Sequence, residues 1–259
     1  MAASPQLVVE NLTLSFGGLN ALSSVSLGVT KGGITSIIGP NGAGKTSLLN
    51  CVSGFYRATS GSIRFEGTEL VGLRPNQVSK LGVARAFQNI ELFSGLSVLD
   101  NLMLARHTHL DYSFWHSVLF YGKTQREEIK NREYVEHVID FMELEPYRKA
   151  VVGELPYGVR KRVEMARALT LEPKLLLLDE PMAGMTLGEK EDIVRFILDI
   201  KAEQGTTVVL IEHDLGVVMD ISDEVFVLDF GERIAGGPPE DVAKDPTVIE
   251  AYVGDEVTV

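Results

Sequence analysis

Cysteine is nearly absent from this chain: Cys51 stands alone among 259 residues. One thiol makes no internal disulfide, so the sequence reads as a chain of the reducing cytosol. Basic residues are also in deficit, with 24 Lys and Arg against 36 Asp and Glu and a net charge of −12. That balance argues against a nucleic-acid partner, which is ordinarily met by a basic face. Long apolar runs are missing as well. Leu175 to Leu178 and Val208 to Ile211 are among the longest, far short of the roughly 20 residues that a membrane-spanning helix needs. No signal-peptide pattern occupies Met1 to Glu10, so work at a membrane would need a span supplied by another subunit. Internal repeats and low-complexity segments are absent too. What remains is ordinary globular material, 45% hydrophobic and 23% charged, long enough for one large domain or two small ones.

Against this background one stretch stands out. Gly39-Pro40-Asn41-Gly42-Ala43-Gly44-Lys45-Thr46 fits GxxxxGKT without a gap. The apolar run Ile34 to Ile38 leads into it as a buried strand and a helical stretch follows from Thr46, which is the context a phosphate-binding loop requires. Glycines let successive backbone N–H groups turn inward, and the helix aims its positive end at the same point. The candidate binding set is Asn41, Gly42, Ala43, Gly44, Lys45, Thr46 and Ser47. Lys45 would reach the β- and γ-phosphates, and the Thr46 hydroxyl would hold a bridging Mg²⁺. Cys51 lies in the helix behind this loop, where a small buried thiol is the natural reading.

The rest of the chain supplies a setting. Leu12, Leu14 and Phe16 alternate with polar residues, as do Val25, Leu27 and Val29, which predicts antiparallel strands with one wet face. The alternation leaves Phe16 as either core or an exposed aromatic platform. Thr59-Ser60-Gly61 and Glu66-Gly67 bracket a hairpin around Ile63 and Phe65, so a β-rich lobe surrounds the loop. After a strand from Val83 to Gln88 the texture turns helical. Ser97 with Asp100, and Thr124 with Glu127, resemble capping boxes, the second before Val135, Val138, Ile139 and Met142 at helical spacing. Tyr112, Phe114, Trp115, Phe120 and Tyr121 between them read as local core or a docking surface. Glu143 to Glu154 is a polar connection, Val159 to Leu171 is helical and Pro173 ends it. Ile193, Phe196, Ile197 and Ile200 form a helix stripe that stops at Gly205. Buried strands at Leu175 to Leu178 and Thr207 to Glu212, a hairpin from Val225 to Ile234 and a helix from Pro246 to Val253 complete the series. The expected fold class is α/β with a mainly parallel sheet, an antiparallel β subdomain and an inserted helical subdomain.

A phosphate loop needs carboxylates opposite it, because Mg²⁺ takes oxygen ligands and an attacking water needs a base. Asp179 and Glu180 at the tip of a strand supply both: Asp179 for the metal, Glu180 for the water. Gln88 and His213 also end strands, at the carboxyl edge where open α/β sheets bind ligands. Alone, each reads as a surface amide and a hydrogen-bonded structural histidine.

The order Phe16, Gly39 to Thr46, Gln88, helical insertion, Leu155-Pro156-Tyr157-Gly158-Val159, Leu175 to Glu180 and His213 resembles the ATP-binding subunits of ABC transporters, over nearly the whole chain. The resemblance implies a single ATPase domain, with 1–88 and 168–259 as nucleotide-binding core and 89–167 as helical subdomain carrying the signature loop. It implies that Phe16 stacks on adenine, Gln88 senses Mg²⁺ and the attacking water, Glu180 is the catalytic base and His213 contacts the γ-phosphate. Pro156, Tyr157 and Gly158 would face ATP held by a second ATPase subunit. Membrane-spanning permease subunits and, indirectly, a soluble substrate-binding protein are the implied partners. The implied place is the inner face of the cell membrane, on its cytoplasmic side.

Within that family the chain is most similar to ATPases of branched-chain amino acid importers, through Phe16-Gly17-Gly18-Leu19, Phe87 to Phe93, Ile211 to Leu215, Val218 to Asp223 and Asp245 to Tyr252. A motor for another small solute (urea, an amide, an aromatic or organic acid) is the alternative, beside a soluble ABC-type ATPase. The soluble type would show paired domains, coiled-coil arms or basic tracts, and a small-molecule phosphotransferase would show an acceptor site. Two departures from the family pattern stand out. Its LSGGQ signature is here Leu155 to Val159, and Pro156 offers neither hydroxyl nor N–H. Met185-Thr186 stands where the family often has an Asp. We therefore expect a competent phosphate loop, a signature that serves the partner's ATP poorly, and a rate gain on restoring Ser at 156 and Gln at 159.

Overall fold

The computed structural model describes residues 5–87, 90–107 and 121–256. Gln88, Asn89 and the aromatic run from His109 to Phe120 lie outside the described residues, as do the side chains of Thr124 and Glu127.

Two long antiparallel strands come first, β1 (Pro5–Phe16) and β2 (Leu19–Thr30), joined by a tight Gly17-Gly18 turn with both φ angles positive. In β1 the buried apolar residues are Leu7 and Val9, then Leu12 and Leu14. The change of parity is a β-bulge: the register shifts between Val9 and Leu12, and Asn11 takes a left-handed φ of 49°. One extra residue keeps the apolar set facing inward. Further register shifts, between Leu12 and Leu14 and between Leu14 and Ser15, turn Phe16 out of phase, and its side chain is 50% exposed. Of the two readings that alternation left open for Phe16, core is therefore excluded. Strands β4 (Ser60–Phe65) and β5 (Thr68–Glu69) extend this sheet in the order β2-β1-β4-β5.

The second sheet is built on β3 (Ile34–Ile38), β6 (Val83–Ala86), β7 (Leu175–Asp179), β8 (Thr207–Ile211), β9 (Glu224–Asp229) and β10 (Glu232–Gly237), in the order β10-β9-β3-β8-β7-β6. All neighbours are parallel except the edge pair β9–β10. Every residue of β3, β7 and β8 is buried, because both faces of the sheet are covered,. Leu175 and Leu177 point into one core, shared with the antiparallel sheet and helix α1 (Lys45–Val52). Leu176 and Leu178 point into the other, shared with the helices below.

The helices after α1 are, in chain order, α2 (Pro75–Lys80), α3 (Val98–His107), α4 (Tyr121–Phe141), α5 (Tyr157–Leu169), α6 (Leu187–Gln204), α7 (Leu215–Ile221), α8 (Pro239–Val242) and α9 (Pro246–Glu256), of which α3 to α7 supply that second core. Ser97 caps α3, its hydroxyl accepting from the Asp100 amide at 3.1 Å. Helix α4 begins at Tyr121, so Thr124 lies inside it and not at its cap; Lys, Gln, Arg and Glu at 123–127 are good helix formers and carry the helix upstream. Val135, Val138, Ile139 and Met142 are fully buried, each contributing about 1.5–3 kcal/mol of transfer free energy as an upper bound. Helix α6 has the expected stripe and a reciprocal cap: Thr186 accepts from Glu189 N while Glu189 accepts from Thr186 N. Gly205, at φ 63°, closes it in the left-handed conformation.

Candidate functional site

The phosphate loop joins β3 to α1, and two glycines set its path. At Gly39, with φ 143°, a Cβ would stand 1.9 Å from the Leu228 carbonyl oxygen. At Gly44, the N-cap of α1 with φ 97°, it would stand 2.5 Å from the Ala21 carbonyl oxygen. Only a residue without a side chain passes either point. The loop is fastened from outside by Gly231, whose amide donates to the Ala43 carbonyl at 3.1 Å. Asn41, Gly42 and Thr46 are exposed at its mouth, Gly44 and Ser47 are half-buried, and Ala43 is buried.

Lys45 folds back into this cradle. Its Nζ donates to the Gly39 and Pro40 carbonyls at 2.7 and 2.8 Å, and the side chain is 6% exposed. Burial pushes its amine below the ordinary 10.5, against the opposing pull of Glu180 and Asp179. A cation held only by neutral carbonyls beside an open glycine-lined cradle fits a phosphate group.

Asp179 ends β7 and is almost fully buried. Its Oδ1 lies 3.4 Å from the Thr46 hydroxyl and its Oδ2 accepts from Arg85 Nη2 at 2.7 Å. Hard oxygen donors at Thr46 and Asp179 suit Mg²⁺, which takes few protein ligands and completes its shell with phosphate oxygens and water. Among the described residues no group of three or more His, Cys, Asp and Glu side chains could hold a metal unaided.

Glu180 follows with φ 48°, an uncommon conformation for a side chain of this kind,. Its amide donates to the Ile211 carbonyl across the sheet, and its Oε1 lies 2.9 Å from His213 Nε2. The turn lifts the carboxylate off the strand line toward the carboxyl edge. Glu212 stands behind them, buried, accepting from the Met182 and His213 amides at 2.8 and 3.1 Å. Burial pushes its carboxyl up, with these amides opposing. Lys161, on α5, is buried near the same carboxylates: burial lowers its amine, and Glu164, Glu212, Glu180 and Asp179 raise it.

Lys45, Thr46, Asp179, Glu180 and His213 thus converge at the carboxyl ends of β3, β7 and β8. Phe16 is on the open side of the β lobe, edge-on to Tyr56 with ring centroids 5.2 Å apart. Gln88 cannot be placed. The signature residues sit at the start of α5. Pro156 is the N-cap itself, one position before the first turn, and no side chain caps the helix. Tyr157 packs beside Gly184 and is 39% exposed, while Gly158 abuts Glu189, whose Oε1 lies 2.1 Å from where a Cβ would be. Val159 is buried in the main core. It is therefore a packing residue, and Gln there would bury an amide instead of extending the loop.

Arg85, Glu212 and Lys161 are the residues that motif reading passed over. Arg85 carried a signal only in hindsight: a charged residue in a four-residue strand, Val83 to Ala86, beside a strand that ends in Asp.

Residues 22–183 match the ABC transporter family, and residues 232–258 match the branched-chain amino acid ATP-binding cassette transporter family. The chain is 40% identical to the high-affinity branched-chain amino acid transport ATP-binding protein BraF of Pseudomonas aeruginosa, over 97% of this chain and 98% of the relative. It is 36% identical to the LivG protein of the same description from Escherichia coli, over 98% and 99%. Among solved structures it is similar to a nucleotide-free ATP-binding cassette from an ABC transporter, with TM-score 0.84 and 34% identity over 96% and 98% of the two chains. An ADP conformation of such a cassette gives TM-score 0.84 and 35% identity over 96% and 99%.

Proposed function

We propose, from the premise that this chain belongs to the ABC transporter family and is the ATP-hydrolysing subunit of an importer, that its transporter carries branched-chain amino acids. The observation that carries the ATPase chemistry is the meeting of Lys45, Thr46, Asp179, Glu180 and His213 at one edge of the sheet. The match of residues 232–258 and the names of the relatives support the substrate class.

In this reading Lys45 exchanges the carbonyls of Gly39 and Pro40 for the β- and γ-phosphates. Thr46 and Asp179 hold Mg²⁺, which when bound offsets the charge of the phosphates. Glu180 accepts the proton of the attacking water, and His213 keeps that carboxylate aimed. Gln88 senses the metal and the water. Phe16 stacks on adenine, and Pro156, Tyr157 and Gly158 close a second ATPase subunit's site. The core comprises 1–88 and 168–259, and 89–167 form the helical lobe.

The likeness to transporter ATP-binding proteins supports placing the chain on the cytoplasmic face, held there by its permeases; among the described residues no helix is long and apolar enough to cross a membrane. A groove of about 440 Å³ between α2, β6 and α3, lined by Phe55, Phe87, Phe93 and Leu104, is the surface that we assign to them. Phe55 and Phe93 are 53% and 56% exposed there, side by side with Phe87 and Leu104 in one concavity. A soluble binding protein delivers the amino acid.

The test is reconstitution in vesicles with candidate permeases, a second ATPase and a binding protein. ATP-dependent accumulation of leucine, isoleucine or valine is expected. Accumulation of urea, an amide or an organic acid in their place would overturn the substrate class.

A further inference from the structure

The guanidinium of Arg85 is held on three sides. Nη2 donates to Asp179 Oδ2 at 2.7 Å, and Nη1 donates to Asn50 Oδ1 at 2.6 Å and Ser53 Oγ at 3.2 Å. Its face lies 4.8 Å from the ring centre of Phe87. The side chains of the ion pair are 5% and 1% exposed. Buried Nε is left without a partner. A fork this constrained, with one donor sacrificed, is aimed and not merely neutralised.

Each contact belongs to a different part of the site. Asn50 and Ser53 lie in or just beyond α1, the helix that carries Lys45 and Thr46. Asp179 ends β7, and Phe87 adjoins Gln88. Parallel pairing of β6 with β7 sets Arg85 opposite Leu177, two residues before Asp179 on the same face,. With Oδ2 engaged by Arg85, the carboxylate cannot rotate freely, and Oδ1 is the oxygen left facing Thr46.

We infer that Arg85 is a positioning residue for Mg-nucleotide: by tying Asp179 to the helix of the phosphate loop, it fixes the oxygen that Asp179 offers to the metal beside Thr46. This rests on the reading of Thr46 and Asp179 as the metal-holding pair. Arg85 itself touches neither metal nor nucleotide. Two forces compete at this carboxylate. The positive charge of Arg85 opposes a cation, and its fork orients the oxygen that receives one. For a buried carboxylate with a single free oxygen, orientation wins.

The test compares Arg85→Gln, Arg85→Lys, Asn50→Ala and Asp179→Asn in the full chain. Affinity for ADP without metal is measured in chelator, and Mn²⁺ binding to the ADP complex is followed by electron paramagnetic resonance. Arg85→Gln is expected to weaken Mn²⁺ binding about tenfold while metal-free ADP affinity stays within about twofold. Arg85→Lys, which keeps the charge and loses the fork, is expected to stay nearer to Gln than to wild type. Full recovery with Lys, unchanged or tighter Mn²⁺ binding, or equal loss of metal-free ADP affinity would each overturn the inference. Should Arg85→Gln not fold, Asn50→Ala decides. It leaves the ion pair intact, and a smaller loss of Mn²⁺ affinity is expected, whereas no change rejects the inference. Asp179→Asn separates the two readings: if it leaves Mn²⁺ binding unaltered, Asp179 is not the metal-holding residue; if it abolishes binding while the Arg85 variants do not, only the role of Arg85 fails.

Discussion

His213 Nε2 lies 2.9 Å from Glu180 Oε1, although the two residues are 33 positions apart and end neighbouring strands. The backbone amide of Glu180 is fixed by the Ile211 carbonyl of the next strand, so both the origin and the tip of this carboxylate are held from β8. A carboxylate that is pinned at both ends meets water in one orientation.

Removing the base we propose should separate binding from turnover. Glu180→Gln is expected to lower turnover about 10²–10⁴-fold, with ATP affinity nearly unchanged. Single-turnover hydrolysis beside equilibrium nucleotide binding measures both. Unchanged hydrolysis would remove Glu180 as the base. His213→Ala, which frees the carboxylate without deleting it, is expected to fall between wild type and Glu180→Gln.

Phe16→Ala addresses the base of the nucleotide. A stacking aromatic is worth about 1–3 kcal/mol, so the ATP KM is expected to rise about tenfold with kcat unchanged, the pattern of lost uniform binding. Because Phe16 is half exposed, the melting temperature should stay with wild type. A fall in stability without a change in KM would return Phe16 to a packing role.

The two unusual signature positions come apart physically. Pro156 is an N-cap that offers no acceptor, and Pro156→Ser is expected to stabilise α5 by about 1 kcal/mol and to raise ATPase in the assembled transporter. Val159→Gln is expected to cost about 1–3 kcal/mol by burying an amide. Urea melts of the single variants, with ATPase rates of the assembled complex, decide. Stability equal to wild type in Val159→Gln would contradict the burial of that position.

Glu164 gives stability a pH dependence. Burial, with Arg167 and the Glu91 amide opposing, holds its carboxyl above the ordinary 4.5, and one oxygen has no partner among the described residues. The unfolded chain therefore releases this proton first. Below 4.5 the folded state has no handicap; as pH rises through 4.5 to the elevated value, stability is lost. Glu164→Gln removes that slope, so its urea midpoint relative to wild type should climb as pH rises above the ordinary 4.5,. A constant difference across the series would refute the direction.

Cys51 is expected to resist alkylation. It is buried, and burial pushes its thiol up to about 11. Maleimide at neutral pH should label the folded chain only at the rate of unfolding, and quickly in denaturant. Fast labelling of the native chain would place the thiol elsewhere.

What the sequence disclosed was whatever a short stretch encodes by itself. The phosphate loop, the stripe on α6 with its Gly205 stop and the Asp179-Glu180 strand tip are spelled in consecutive residues, and the structure places them so. The Arg85–Asp179 pair is not, because its partners are 94 positions apart and meet only through the pairing of β6 with β7. Phe16 stayed open for a related reason: register shifts in β1 break the parity on which alternation depends. Val159 was read at the start of a helix, and it is core because α5 begins two residues earlier, at Tyr157.

Strand β3 lies between β8 and β9, both made more than a hundred and sixty residues after it. Gly39 is packed under Leu228, and Gly231 secures Ala43. The emerging chain thus carries its phosphate-loop sequence long before it has the walls that shape it. Nucleotide capture is consequently an end-of-synthesis event, and a chain truncated before Gly231 keeps the whole motif but not the geometry that makes it bind.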